Sequence, residues 1–223
     1  MARGHLDSLR PHAQTSIVDV NDGITAAAGV AEGFISAGAS VRTLLLAGTA
    51  VILAGGSAVA GARYSEVRTE WEVNRALLDE ERASIEADPA GELAELAGIY
   101  EAKGLNPRLA RQVAEALTER DPVAAHADAE LRLETLGPKS AALPGAVTAG
   151  LCYGIGAAVP LAAMSWLPNR LALTFIVVLI ALALTGWLAA WLTGLPMARL
   201  VRRNLFIGGA IMLASILVGL ALH

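Results

Sequence analysis

The feature that most constrains the fold is a set of four stretches that carry no charged side chain and are long enough to cross a bilayer. A spanning helix needs about 20 consecutive apolar residues, because its backbone polar groups must be satisfied within the segment itself. The four stretches are residues 43–62, 140–169, 171–198 and 204–223. They predict an all-α membrane protein that is embedded in the lipid bilayer.

A fifth stretch, residues 17–39, is as long but contains Asp19, Asp22 and Glu32. We count it as the first of five transmembrane helices, and we expect Asp19 to lie in water at its end. Basic residues favour the cytoplasmic side of a membrane. They precede the first span and separate the last two, whereas the opposite loops hold only Arg42 and Arg170. The pattern predicts a cell-membrane protein with a cytoplasmic N-terminus and an external C-terminus.

Charge is concentrated in the middle of the chain, between the second and third spans. Residues 63–139 hold 17 of the 21 acidic residues and ten of the 17 basic ones. Pro89, Pro107 and Pro122 each follow an Asp or Asn, which is typical of the first turn of a helix. We therefore predict a cytoplasmic segment 1–16, two spans in 17–62, an acidic helical domain in 63–139 and three spans in 140–223.

Several classes of protein are disfavoured by what the sequence lacks. A basic patch with interleaved aromatic residues is absent, so we expect no nucleic-acid partner. The single cysteine, Cys152, excludes a multi-cysteine metal site. No Walker loop, GxSxG or HExxH motif is present, and we predict neither an enzyme nor a prosthetic group.

Two acids within the first span are candidate transport residues. A carboxylate in a membrane helix costs at least about 2.5–3.5 kcal/mol, so Asp22 and Glu32 suggest a function. Helical spacing places Asn21 and Glu32 on one stripe with Asp22 beside it. Each acid could bind Fe²⁺ or Mn²⁺ or carry a proton, and each could instead lie in the interfacial zone at a helix end.

The acidic domain offers a second candidate site. Glu92 and Glu95 share a helix face, and a turn at Pro89 could bring Glu81 close to them. His126 and Glu130 are four residues apart, a spacing at which one helix can present both to a metal ion. The alternative is that these side chains form an ordinary solvated face.

Short motifs spread along the chain give it a resemblance to the vacuolar iron transporter (VIT) family, from residue 18 almost to the end. They are Val20-Asn21-Asp22-Gly23-Ile24, Leu46-Ala47-Gly48, Ala54-Gly55, Pro89-x-x-Glu92-x-x-Glu95-Leu96, Ile99-Tyr100, Lys103-Gly104-Leu105, Val113-Ala114-x-x-Leu117, Asp121-Pro122 and Glu130-Leu131. The resemblance implies a homodimer with five spans, which exports Fe²⁺ or Mn²⁺ from the cytosol in exchange for protons. It also implies a transport role for Asp22 and metal binding by four glutamates, namely Glu81, Glu92, Glu95 and Glu130.

The sequence departs from that family at several of its functional positions. A family glutamate falls on Ser84, and methionines of some members fall on or near His126 and its neighbour. A glutamate and a methionine of the second span become Val51 and Val59. We expect Glu32 to replace the lost span-two glutamate in part. The alternative function is a membrane protein that does not transport, whose acidic helices act as a metal buffer, sensor or interaction module.

Overall fold

A computed structural model describes residues 2–130, 138–166 and 170–222, and omits the side chains of residues 2–12 and 139. The described residues form eight α-helices and one short 3₁₀ turn. The helices are α1 (Ala2–Ser36), α2 (Val41–Ala87), α3 (Pro89–Ala102), α4 (Pro107–Arg120), α5 (Pro122–Ala129), α6 (Ala142–Trp166), α7 (Arg170–Thr193) and α8 (Met197–Ala221). This confirms the all-helical prediction for the part of the chain that is described.

Four of these helices, α2, α6, α7 and α8, are long and apolar enough to cross a membrane. They coincide with the four uncharged stretches of the sequence, and the chain is a multi-pass membrane protein. The helix α1 is not among the four. It spans 35 residues but carries the acids Asp19, Asp22 and Glu32, so a fifth span remains a prediction.

The described chain divides into two compact units, residues 1–64 with 143–223 and residues 65–142. The helix α2 is continuous from Val41 to Ala87 and contributes to both. In the first unit, Ile24 and Ala28 of α1 pack against Val178 and Leu182 of α7, with Met212 of α8 completing the cluster. This apolar layer holds α1 against the two helices.

Glycines allow α1 to approach α6 closely. A Cβ atom at Gly23 would overlap the carbonyl oxygen of Tyr153, and one at Gly156 would overlap the carbonyl oxygen of Val20. Small residues at helix contacts are common in membranes, where lipid offers no hydrophobic drive for association. The two glycines therefore fix the depth at which α1 packs beside α6.

The second unit, residues 65–142, is called the acidic unit below. Its helices begin at the capping signals of the sequence. The side chains of Asp88, Asn106 and Asp121 accept hydrogen bonds from backbone N–H groups in the first turns of α3, α4 and α5. Each cap precedes a proline at the first helical position, as predicted. Gly104 follows the C-cap residue of α3 and has a φ of 102°, a backbone conformation that favours glycine.

Candidate metal sites

The acidic unit brings Glu81, His126 and Glu130 together. One ligand atom from each lies within 4.8 Å of the other two. His126 Nδ1 is 2.9 Å from a carboxylate oxygen of Glu81 and 3.8 Å from one of Glu130. Two carboxylates and an imidazole suit divalent transition metals such as Fe²⁺ and Mn²⁺.

The closest pair in this cluster is not hydrogen-bonded. The His126 side chain is 1% exposed and that of Glu81 is 12% exposed. The Nδ1 and Oε1 atoms are buried, and neither has a hydrogen-bond partner among the described residues. Buried polar atoms without partners are rare and costly. A cation bound between the two atoms would satisfy both.

Glu92 extends the cluster on the side of α3. Its Oε2 lies 3.7 Å from His126 Nδ1, and its Oε1 accepts a hydrogen bond of 2.5 Å from the hydroxyl of Ser84. Ser84 occupies the position at which the resemblance implies a further glutamate. The serine therefore orients a carboxylate instead of supplying one. Glu95 lies on the same helix and is exposed.

The electrostatics of the cluster favour a bound cation. Burial raises the pKa of Glu81, and the neighbouring carboxylates Glu130, Glu92 and Glu95 raise it further, while His126 opposes them. A raised pKa means that the buried, negatively charged surroundings destabilise the ionised form of the carboxylate. A divalent cation would relieve both the burial cost and the repulsion between carboxylates.

The local fold explains how these residues meet. His126 is in the last turn of α5, and its carbonyl accepts the backbone N–H of Glu130, which caps the helix. Leu96 and Ala97 of α3 pack with Ala114 of α4 and with alanines of α5. This small core holds α3 and α5 together, so Glu92 of α3 lies beside His126.

The first unit, residues 1–64 with 143–223, holds the long apolar helices and is called the membrane unit below. In this unit, Asp22 lines an open groove of about 1640 Å³. The groove runs mainly between α1 and α8, and most of its lining is apolar. Its charged lining residues among the described part of the chain are Asp22, Arg199 and Arg203. Asp22 is exposed in the isolated chain, so its carboxylate is accessible to an ion in the groove.

Asn21 also lines the groove, but its side-chain oxygen is already engaged. Thr185 Oγ1 donates a hydrogen bond of 2.9 Å to Asn21 Oδ1, and Asn204 Nδ2 donates another at 3.4 Å. These bonds link α1, α7 and α8 and orient Asn21 beside Asp22. The sequence analysis missed Asn204 and Thr185, although a buried asparagine in an apolar helix is itself a signal of such a link.

Glu32 is placed differently from Asp22. Its side chain is fully buried, and it is not among the residues that line the groove. Neither of its carboxylate oxygens has a hydrogen-bond partner among the described residues. Asp22 and Glu32 are therefore ten residues apart on one helix but in different surroundings.

Two positions of α2 at which the resemblance implies metal-binding side chains, Val51 and Val59, lie at or beside the groove. Val59 lines the groove, and Val51 packs beside Ala27, Tyr153 and Ala157. Valine has no ligand atom for a metal ion at either position. The groove in the described chain thus presents one acidic side chain, that of Asp22.

The expectation that Asp19 lies in water is wrong. Its side chain is buried, and Asp19 Oδ1 is 3.8 Å from Arg63 Nη2. The cationic partner explains the difference, because a paired carboxylate is tolerated where an isolated one is not. The arginine comes from α2, and the sequence alone does not show that the two helices meet there.

Comparisons with known proteins identify the family to which the chain is similar. Residues 13–220 match the model of the VIT family. The "Vacuolar iron transporter" of Acanthamoeba castellanii is 31% identical over 189 residues, which cover 83% of this chain and 72% of that protein. The "Vacuolar iron transporter 1" of Arabidopsis thaliana is 30% identical over 198 residues, covering 86% and 78%. That of Oryza sativa subsp. japonica is 32% identical over 184 residues, covering 80% and 72%.

Proposed function

The chain belongs to the VIT family, whose members are transporters rather than enzymes, and from this premise we propose that it exports Fe²⁺ or Mn²⁺ from the cytoplasm in exchange for protons. Its relatives are named as iron transporters, which supports iron as the transported ion. The carboxylate ligands support Mn²⁺ as a second substrate.

The observation that carries the proposal is the cluster of Glu81, His126 and Glu130, with the unpartnered buried atoms at its centre. In this proposal the cluster collects the ion in the cytoplasm, with Glu92 as a further ligand and Glu95 as part of the negative field around it. The acidic domain attracts cations because it carries an excess of negative charge.

Asp22 then passes the ion through the membrane. Asn21 lines the groove beside it and links α1 to α7 and α8. The helix α1 serves as the fifth span, which places the N-terminus and residues 63–139 in the cytoplasm and the C-terminus outside. We place the protein in the cell membrane. The open groove along α1 and α8 supports a homodimer, because a second copy would cover its apolar lining and shield Asp22 from lipid.

A survival assay tests the role of Asp22. Cells that express the protein should tolerate toxic iron or manganese, and Asp22→Ala should abolish that protection because the groove loses its one acidic side chain. Asp79→Ala, which removes an exposed carboxylate of α2, should leave protection intact. Full protection by Asp22→Ala at equal expression would refute the transport route.

Val51 and Val59 favour one alternative, in which the acidic domain binds metal but the membrane unit does not transport it. Calorimetry and proteoliposome flux on one preparation separate the two functions. Metal binding with flux that depends on Asp22 supports transport. Metal binding without flux supports a buffer, sensor or interaction module.

A further inference from the structure

Thr174 is a second buried polar side chain in the same unit as Glu32, and the sequence pattern did not single it out. Thr174 of α7 is fully buried, and its hydroxyl has no hydrogen-bond partner among the described residues. A buried threonine hydroxyl in a helix usually bonds to a backbone carbonyl of the preceding turn. The Thr174 hydroxyl is therefore able to form a hydrogen bond with another buried group.

The register of α1 against α7 implies that Thr174 lies level with Glu32. The helices are antiparallel in a constant register, since Asn21 bonds to Thr185 and Ile24 and Ala28 pack in one cluster with Leu182 and Val178. Four residues further along α1, the same register pairs Glu32 with Thr174.

We propose that Glu32 and Thr174 form an internal proton-exchange site, separate from the metal groove, which couples proton movement to metal transport. The inference rests on the proposed function for the metal that is coupled, but the existence of the proton site does not. In the neutral state, Glu32 holds a proton on its carboxyl group. On exchange, the O–H bond breaks, the proton passes to water and a carboxylate remains, which later takes up another proton.

A proton fits this site better than a metal ion does. The pair offers two carboxylate oxygens and one hydroxyl oxygen, fewer than the four to eight ligands that divalent ions take in proteins. A carboxylate buried without a partner is strongly disfavoured, so a proton neutralises it. The Thr174 hydroxyl can accept from the neutral acid and donate to the carboxylate, which serves both states.

Among the described residues, the charged groups on the elements around Glu32 lie at a distance along the chain. On α1 the nearest to Glu32 is Asp22, ten residues away, followed by Asp19. Arg42 of α2 and Arg170 of α7 are the charged residues nearest this end of those helices, and both side chains are exposed. The described spans of α6, and α8 beyond Arg203, contain no charged residue.

Glu32 is also close to the end of its helix. Ser36 ends α1 and donates a hydrogen bond of 2.7 Å to the carbonyl oxygen of Glu32. Four residues of helix span about 6 Å. Glu32 therefore lies about one helical turn from the end of α1, and in the proposed site the proton enters and leaves at this end.

Infrared spectroscopy of the full-length protein in liposomes tests proton binding directly. The wild type should show the C=O stretching band of a protonated carboxylic acid that disappears as pH is raised, and Glu32→Gln should lack this band. Thr174→Val should change the pH at which the band disappears, because the hydroxyl that we assign to the site is lost. Thr49→Val, which removes an exposed hydroxyl of α2, should not. Identical spectra for wild type and Glu32→Gln at every pH would overturn the proposal.

Flux measurements test the coupling. We expect the ratio of Mn²⁺ flux with a pH gradient to flux without one to exceed unity in the wild type and to fall to unity in Glu32→Gln, while downhill flux persists. A gradient response in Glu32→Gln that equals that of the wild type would refute the coupling. If the wild type moves no metal, the proposed function fails, and the infrared band still decides whether Glu32 holds a proton.

Discussion

Replacing Glu81 with glutamine is the sharpest test of the cytoplasmic metal site, because the shape of the side chain is kept and its charge is lost. Glu81 supplies one of three ligand atoms that lie within 4.8 Å of one another. Changes to residues that only orient metal ligands cost about 10–100-fold in affinity. Loss of a direct ligand should cost at least about 100-fold, or about 2.8 kcal/mol.

The same substitution should have the opposite effect on the metal-free protein. Burial and the neighbouring carboxylates raise the pKa of Glu81 in the folded state above its ordinary value. The ionised side chain therefore destabilises the fold at neutral pH, and this penalty disappears as the pH falls below the ordinary glutamate range. Glu81→Gln should raise the apo melting temperature at neutral pH, and the advantage should shrink on acidification.

Calorimetric titration with Mn²⁺ and thermal unfolding with and without metal give both quantities on one preparation. Glu101→Gln, which neutralises an exposed glutamate of α3, is the matched control and should change neither. The reasoning fails if Glu81→Gln lowers the apo melting temperature and leaves the affinity for Mn²⁺ unchanged. Such a result would make Glu81 a structural partner of His126 rather than a ligand.

Three further substitutions test separate parts of the structure. His126→Ala should weaken Fe²⁺ binding more than Mn²⁺ binding, because imidazole suits iron whereas carboxylates suit manganese; equal losses in anaerobic titrations would contradict this. Ser84→Ala removes the hydrogen bond to Glu92 and should lower metal affinity about tenfold, as loss of an orienting group does; unchanged calorimetry would show that the bond does not orient a ligand. Arg63→Ala leaves the buried Asp19 without this cationic partner and should cost about 3 kcal/mol of stability, seen as a lower melting temperature, whereas an unchanged value would show that the pair contributes nothing.

Local signals in the sequence predict much of the fold because they act within a few residues. The cap-and-proline pairs at Asp88, Asn106 and Asp121 each begin a helix as expected, since the cap side chain and the fixed φ of proline act on the next turn. The uncharged stretches become long apolar helices for a reason that is also local. A segment in lipid must satisfy its backbone hydrogen bonds within itself.

Contacts between distant parts of the chain are harder to foresee. Such contacts depend on which faces of the helices meet. Examples are the Asp19–Arg63 pair, the hydrogen bond from Asn204 to Asn21 and the inferred register of Thr174 with Glu32. A helical stripe gives the direction of a side chain relative to its own axis but does not identify the neighbouring helix. The stripe that groups Asn21 with Glu32 therefore cannot show that Asn21 lines the groove while Glu32 is fully buried outside it.

The different surroundings of Asp22 and Glu32 fit the metal–proton antiport that we propose. An accessible carboxylate can take a hydrated metal ion and release it, whereas a sealed one without other ligands can exchange only a proton. Both lie on α1, about 15 Å apart along its axis. Because Gly23 and Gly156 hold α1 in backbone contact with α6, the Asp22 level has little room to shift alone. A displacement of α1 as one rod would change the exposure of both acids together, which is the mechanical condition for coupling them.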